Sequence, residues 1–405
     1  MRSKLLMLAS AAFLFITGCS KPELTKGIWR GALLTSAGKE IPFNFEITDT
    51  AGKKQMTIFN GAERFKVTDV NISGDSVTIK MPLFESEFKL KLTNEGMAGQ
   101  FIKHLADSDA VMNFSAIKNT DWRFKAGDKP TANISGRWAA TFGVDQDTSF
   151  AVGEFKQSDA KLTGTFLTST GDYRFLEGVV SGDSLYLSGF DGGNAYLFTA
   201  KVSANNITGG TRYSGKSGFK TWTAVKDANA KLPDAYSLTA LKPGFKKLAF
   251  TFNDLDGNRV ALTDERFKNK VVIVQIMGSW CPNCMDETAY MVNYYKKYQP
   301  KGVEVIGLAY ERTAGVDRSK KAVEQIKQRF NITYPLLLTG YIPADAGKSL
   351  PMLDKVLGFP TTIIIDKKGD VRKIHTGFSG PSTGEHYVEF INEFEKLTND
   401  LLAEK

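Results

Sequence analysis

The sequence predicts a multidomain protein in which a duplicated, all-β N-terminal region precedes an α/β domain. Up to about residue 226, short alternating runs are broken by Gly, Asn, Asp and Ser, which is typical of antiparallel strands. From about residue 243, continuous apolar, β-branched runs alternate with helical periodicity, which indicates strands buried on both faces. The length of 405 residues exceeds what one hydrophobic core usually serves, so several domains are expected.

The first 18 residues have the composition of an export signal. Two basic residues precede an apolar stretch, 5–16, that is too short to span a bilayer well. Residues 16–19 (Ile-Thr-Gly-Cys) resemble the bacterial lipoprotein box, which implies that Cys19 becomes the lipidated N-terminus of an envelope protein facing the periplasm. Because Ser20 is not the Asp associated with inner-membrane retention, the outer membrane is favoured over the inner one. The alternative interpretation is a buried N-terminal helix.

Charge and cysteine content argue against two classes of protein. The formal net charge is +8, but Lys and Arg are interspersed with Asp and Glu and form no basic arm, so nucleic-acid binding is disfavoured. The chain has three cysteines. If Cys19 carries lipid, only Cys281 and Cys284 remain as thiols. A framework of structural disulfides is then excluded, and the surviving pair lies in a compartment where redox exchange is useful.

The all-β region repeats itself. Three markers recur in the same order at offsets of 109, 108 and 108 residues, which predicts two copies of a unit that suits a small sandwich or barrel. Each unit opens with Gly-x-Trp, which is similar to the start of lipocalin-like barrels; alternatively, the Trp simply closes one end of a core. The paired markers are 27–29 and 136–138, 72–77 and 180–185, and 116–118 and 224–226.

These patterns predict five segments along the chain. They are a signal peptide at 1–18, a first β domain at 19–128, a second β domain at 129–228, a polar linker at 229–242 and the α/β domain at 243–405.

Within the α/β domain the predicted elements follow the order β-α-β-α-β-β-α. Residues 254–258 carry a hairpin turn signal, and Ser382 with Glu385 is expected to form a capping box at the start of the last helix. The main predicted strands are 271–277, 303–308, 335–338, 361–365 and 371–378, and the helical stripes begin at Cys284, Ala322 and Ile391.

Cys281 and Cys284 lie at a junction between a buried strand and a helix, and two intervening residues let both sulfurs share the first helical turn. Unpaired N–H groups and the helix dipole there favour a thiolate, which lowers a Cys pKa from ~8.5 to roughly 3.5–7.5. Cys281 is therefore the predicted nucleophile. Cys284, one turn deeper, is expected to be buried and to resolve the mixed disulfide. Pro282 falls where a missing N–H does little harm.

The order of elements and the run 278–284 (Gly-Ser-Trp-Cys-Pro-Asn-Cys) resemble the thioredoxin fold. Residues 358–362 (Gly-Phe-Pro-Thr-Thr) match the cis-proline signature of that family. The resemblance implies that Pro360 lies opposite Cys281 and that the Phe359 backbone pairs with a substrate peptide, with Trp280 also on the substrate face. Taken alone, Pro360 would be expected to follow an ordinary trans bond.

Within the thioredoxin superfamily the sequence resembles the TlpA/ResA group of envelope protein-disulfide reductases, over about two-fifths of the chain. The resemblance implies that Glu287, six residues after Cys281, tunes the dithiol or accepts a proton. Gln275 stands where cytosolic thioredoxins have a buried Asp, and it cannot take a proton, so Glu287 is the remaining candidate base. The alternative is that Glu287 is a solvated residue of the first turn.

The direction of electron transfer follows from the same resemblance. The flanks of the dithiol resemble reductases, whereas Pro282 occupies the place that proline has in the strong oxidant DsbA. Reduction potentials of such proteins span ~−270 to ~−120 mV, so small local differences decide the direction. We expect a reductase that acts on protein disulfides and receives electrons from a membrane or soluble thiol partner. No cofactor is expected, because sulfur carries the electrons.

Three other functions compete with this interpretation. A peroxiredoxin-like peroxidase shares the fold, but Val274 and Gly278 stand in place of the Pro and the Thr that precede the peroxidatic Cys in that family. A lipoprotein that binds a ligand through its β repeats would leave the dithiol idle. A zinc site is disfavoured because the histidines are not paired at ligand spacing, so no metal is expected. These histidines are His104, His375 and His386.

Overall fold

The computed structural model describes residues 22–143, 147–313 and 315–405. The predicted signal peptide, 1–18, and Cys19 lie outside these residues. Within the described part of the chain, no helix combines the length and apolarity needed to cross a bilayer.

The first β domain is a sheet of nine antiparallel strands in which almost every strand pairs with its neighbours in sequence. The spatial order is β4-β3-β2-β1-β9-β8-β7-β6-β5, so β1 and β9 join the two ends of the unit. The strands are β1 Gly27–Leu34, β2 Glu40–Thr50, β3 Lys53–Asn60, β4 Glu63–Val67, β5 Asp69–Ser73, β6 Ser76–Lys80, β7 Ser86–Leu92, β8 Gly96–His104 and β9 Asp109–Lys118.

The second β domain repeats this plan. Its order is β11-β10-β18-β17-β16-β15-β14-β12-β13, and β11 also pairs with β12, which closes the sheet into a barrel. The strands are β10 Gly136–Phe142, β11 Ser149–Ser158, β12 Lys161–Thr168, β13 Gly171–Asp172, β14 Leu176–Ser181, β15 Ser184–Phe190, β16 Ala195–Val202, β17 Asn206–Ser214 and β18 Gly218–Lys226.

The two Gly-x-Trp markers occupy equivalent places in the two sheets. Trp29 and Trp138 are buried on β1 and β10, and each indole Nε1 donates to the carbonyl oxygen four residues earlier, at 3.2 Å and 2.8 Å. Gly27 and Gly136 share a positive φ, +119° and +109°, a conformation that glycine adopts at low cost. The predicted duplicated all-β region is confirmed.

The two β domains pack against each other through buried polar contacts. The Asn60 side chain donates to the Phe190 carbonyl at 2.8 Å, and the Arg123 guanidinium donates to the Ser188 carbonyl at 2.9 Å. Buried polar groups of this kind are satisfied only in one relative placement, so these bonds fix how the repeats sit together.

The last domain is a seven-stranded mixed sheet flanked by helices. Its order is β20-β19-β23-β22-β21-β24-β25, with β21, β22 and β23 parallel. The elements are β19 Thr251–Asp254, β20 Arg259–Ala261, β21 Val271–Met277, α1 Pro282–Tyr298, β22 Val303–Ala309, α2 Val316–Phe330, β23 Leu336–Leu338, α3 Ala346–Ser349, β24 Thr361–Ile365, β25 Val371–Thr376 and α4 Glu385–Ala403. The fold class predicted for this domain, an α/β thioredoxin-like fold, is confirmed.

Strand β21 lies at the centre of this sheet and is buried over its whole length. Val271, Ile273 and Met277 join the core shared with α1, whereas Val272 and Val274 join the core on the opposite face. Because side chains alternate along a strand, Gln275 faces α1. The apolar run thus places one polar side chain beneath the helix that carries the dithiol.

The expected capping box at the last helix is wrong. Helix α4 begins at Glu385 with Gly384 as its N-cap residue, and no side chain caps it. The Ser382 hydroxyl donates instead to Asp172 Oδ1 of the second β domain, at 3.0 Å. Ser382 therefore makes a tertiary hydrogen bond instead of capping the helix as the local pattern predicted.

Candidate active site

The dithiol lies at the junction between the end of β21 and the start of α1. Cys281 is the N-cap residue of α1, and Pro282 is the first residue of the helix. The two sulfurs are joined in a disulfide, and Cys281 Sγ accepts a hydrogen bond from the Cys284 backbone N–H at 3.2 Å. The same N–H and the helix dipole would stabilise a thiolate on Cys281 after reduction. Cys284 is fully buried.

The cis-proline loop faces Cys281. The peptide bond between Phe359 and Pro360 is cis, and the Phe359 carbonyl oxygen lies 3.6 Å from Cys281 Sγ. The rings of Phe359 and Trp280 meet edge to face with centroids 5.3 Å apart. Within the described part of the chain, the Phe359 N–H donates to no backbone acceptor. Trp280, Cys281, Phe359 and Pro360 are therefore brought together.

The Trp280 side chain is held in place by residues that belong to no sequence motif. Its indole Nε1 donates to the Tyr310 carbonyl at 2.8 Å, and the Arg312 guanidinium lies 4.9 Å from its ring centroid. The Glu311 carboxylate accepts from the Ser279 N–H and hydroxyl, at 2.8 Å and 2.5 Å. The loop after β22 thus holds the loop that leads to the dithiol. No local pattern in the sequence identifies these residues.

Glu287 is fully buried, so it is not a solvated residue of the first helical turn. Its carboxylate accepts two hydrogen bonds, from Gln275 Nε2 and from Thr362 Oγ1, each 2.7 Å long. Burial raises the pKa of the carboxyl to about 7, and the two hydrogen bonds oppose that rise only in part. A carboxyl with this pKa can both accept and release a proton near neutral pH.

Glu287 lies three residues after Cys284 on α1, a spacing that puts two side chains on the same face of a helix. That face points to β21. There, Gln275 Nε2 donates to the Glu287 carboxylate and lies 3.3 Å from the Thr288 hydroxyl. The buried carboxyl therefore shares the underside of the helix with the resolving cysteine. Thr362, from the cis-proline motif, joins the same cluster.

Each of the three histidines makes its own contacts, and none is bonded to the dithiol. His104 contacts Asp109 at 2.8 Å, His386 contacts Glu154 at 3.0 Å, and His375 is buried, which lowers its pKa to about 4. Among the residues that the structure describes, no three His, Cys, Asp or Glu side chains converge as metal ligands.

Comparisons with known proteins match the last domain. The Redoxin family model matches residues 227–389. The thiol-disulfide oxidoreductase ResA of Geobacillus thermodenitrificans is 34% identical over 153 residues, which cover 38% of this chain and 80% of the relative. ResA of Bacillus subtilis is 30% identical over 146 residues, covering 36% and 74%.

Among solved structures, a thioredoxin-family thiol:disulfide interchange protein from Chlorobium tepidum covers 40% of this chain and all of its own, at 21% identity and a TM-score of 0.29. The identity to ResA extends over most of that relative's length and includes the dithiol domain. On that ground the chain belongs to the ResA family of thiol-disulfide oxidoreductases, within the thioredoxin superfamily.

Proposed function

We propose that the protein reduces protein disulfides through a Cys281/Cys284 dithiol. The observation that carries this proposal is the position of Cys281 at the N-cap of α1, bonded to the Cys284 N–H and opposite the cis-proline loop. A thiolate there is stabilised by peptide dipoles without any metal or cofactor. Protein disulfides are the substrate class, and Phe359 and Trp280 are the proposed substrate contacts.

The proposed reaction transfers two electrons in two exchange steps. The Cys281 thiolate attacks one sulfur of the substrate disulfide, forms a mixed disulfide and releases the other sulfur as a thiolate that takes up a proton. The Cys284 thiol then loses its proton to Glu287 and attacks Cys281 Sγ. This releases the second substrate thiol and leaves the Cys281–Cys284 disulfide. A membrane or soluble thiol protein must return two electrons before the next cycle.

The test is the reduction potential of the Cys281/Cys284 couple, measured by equilibration with glutathione. A value at or below about −200 mV supports the reductase direction, whereas a value near ~−120 mV would make the protein an oxidant. Insulin reduction by the wild type, with Cys281→Ser as the inactive control, checks exchange itself. If the Cys281→Ser variant reduced insulin as fast as the wild type, the dithiol assignment would fail.

We further propose that the chain is exported and anchored to the membrane through lipid on Cys19. The lipoprotein box at 16–19 supports this proposal, and Ser20 favours the outer membrane. The proposed boundaries are 1–18 for the signal peptide, 19–128 and 129–228 for the β domains, and 229–242 for a linker before the thioredoxin-like domain at 243–405. Radiolabelled palmitate incorporation, lost in Cys19→Ala, tests the anchor.

A further inference from the structure

Cys281 has little access to solvent. Only 4% of its surface is exposed, although thiol–disulfide exchange needs a second sulfur to reach bonding distance of this atom. A reactive cysteine is usually partly exposed. The atoms that cover the dithiol loop come from the two β domains as well as from its own domain.

The turn between β12 and β13 of the second β domain lies against the dithiol and cis-proline loops. A Cβ added at Gly171 would lie 2.7 Å from the Asn283 side chain, and one at Gly358 would lie 2.5 Å from the Thr170 methyl group. A Cβ added at Gly377, which follows β25, would lie 2.9 Å from Ser169 O. The turn therefore occupies the side of the cis-proline loop that a substrate peptide would approach.

A second loop covers the start of α1 from the other side. A Cβ at Gly193 would lie 2.9 Å from the Phe84 ring of the first β domain and 3.0 Å from Pro282 Cγ. The Lys103 ammonium group, also of the first β domain, donates to the Gly193 carbonyl. Both β domains therefore meet directly over the residue that follows Cys281.

A buried ion cluster ties the same three domains together. The Arg174 guanidinium contacts Glu63 of the first β domain at 2.7 Å, Asp191 of the second at 2.8 Å, and Asp286 on α1 at 2.8 Å. Next to it, Asp172 accepts from the Gly380 N–H at 2.7 Å. An Arg fork that binds carboxylates of three domains holds their relative placement.

We propose that the two β domains form a cover that closes over the dithiol and must move before a protein disulfide can reach Cys281. The cover consists of the 168–171 turn, the 191–194 loop and the Arg174 ion cluster. This proposal rests on the proposed function and adds its regulation: the chemistry of the dithiol is unchanged, and the open fraction of the molecule sets its rate.

The test compares the reactivity of reduced Cys281 in the full-length wild type and in variants that hold the cover open. Gly193→Leu adds a side chain where Phe84 and Pro282 leave no room, whereas Gly127→Leu is its matched control because only Ser181 Oγ, at 3.8 Å, lies within reach. Asp286→Asn removes the negative charge on α1 that pairs with Arg174. The rate at which iodoacetamide labels Cys281 is measured by mass spectrometry of the peptide that contains it. This rate is divided by the fraction of Cys281 present as thiolate, which is measured by ultraviolet absorbance.

We expect Gly193→Leu and Asp286→Asn to be labelled about tenfold faster than the wild type, and Gly127→Leu to match the wild type. Insulin reduction should rise in parallel. Folded variants with wild-type labelling rates would overturn the proposal. The wild type alone provides a second test that no misfolded variant can obscure: if its native Cys281 is labelled as fast per thiolate as the urea-unfolded chain, there is no cover.

The two proposals fail in different ways. If the Gly193→Leu variant failed to reduce insulin although its Cys281 was labelled faster than that of the wild type, the proposed function would be lost. If all forms were labelled at one rate per thiolate while the wild type reduced insulin, only the cover would be lost.

Discussion

At the scale of single residues, the centre of interest is Glu287, a carboxyl buried beneath the dithiol between Gln275 and Thr362. The sequence placed an acid near Cys284 but could not determine its exposure, because a glutamate near the start of a helix is ordinarily solvated. Burial follows from β21, whose alternation turns Gln275 toward α1 and supplies a donor for the carboxylate. A tertiary contact, rather than a local pattern, thus sets the proton affinity of this residue.

We predict that Glu287→Gln slows the step in which Cys284 resolves the mixed disulfide by about tenfold to a hundredfold, because a general base is lost. In the wild type this rate should rise with pH and level off near the pKa of Glu287, about 7. In the variant that inflection should be absent. Stopped-flow fluorescence of Trp280 during exchange measures the rate. Glu389→Gln, on an exposed surface of α4, is the control. An unchanged inflection in Glu287→Gln would contradict the role.

The same residue predicts a pH dependence of stability. The pKa of Glu287 is about 7 in the folded protein against an ordinary 4.5, so the folded state holds the proton more tightly. Its contribution is fully present below pH 4.5 and is lost as the pH rises to about 7, a loss of about 3 kcal/mol. Urea unfolding of oxidised wild type and Glu287→Gln at about pH 5 and pH 8 measures it. The variant should lose less stability between these pH values, and parallel losses would refute the assignment.

At the scale of elements, the sequence predicted those parts whose signal is local. Strand β21 is an uninterrupted apolar run, and α1 starts at a Cys-x-x-Cys spacing that fits one turn. The three repeat markers identified the duplication because each marks the same place in its sheet. The capping box failed because Ser382 found a partner, Asp172, more than two hundred residues away. Local patterns do not register such contacts.

The buried tryptophan of the second sheet allows a test of the role of the Gly-x-Trp marker. We predict that Trp138→Phe destabilises the protein by about 1–3 kcal/mol, because the Ile134 carbonyl loses its buried donor. Trp122→Phe, on a side chain that is 37% exposed, should stay within about 0.5 kcal/mol of the wild type. Chemical denaturation measures both. Equal changes in the free energy of unfolding for the two variants would contradict the role of Trp138 in the core of the second β domain.

At the scale of the whole molecule, the Arg174 cluster is the feature that the sequence could not reveal. Arg174, Glu63 and Asp286 are separated by about a hundred residues at each step, and nothing near any of them marks an ion pair. Burial raises the pKa of Asp286 to about 6 even though Arg174 lowers it. Only the packed arrangement of three domains brings these charges together. The thioredoxin-like domain was therefore predictable in detail, whereas its contacts with the β domains were not.

We predict that Arg174→Met destabilises the assembled molecule by about 3–5 kcal/mol, because it leaves buried carboxylates without their counter-charge. The loss should be larger at about pH 8 than at about pH 5, where these carboxylates can take up protons. Lys201→Met removes an exposed ion pair to Asp183 and should change stability by no more than about 1 kcal/mol. Thermal unfolding compares the two variants. A pH-independent loss in Arg174→Met would contradict the role of the carboxylates.

The two β domains precede the dithiol in the chain, and this order affects how a newly made molecule folds. Domains of a growing chain fold one after another from the amino end. When the last domain folds, the dithiol packs against β domains that have already folded. The proposed cover would then bury the dithiol as soon as its own domain folds.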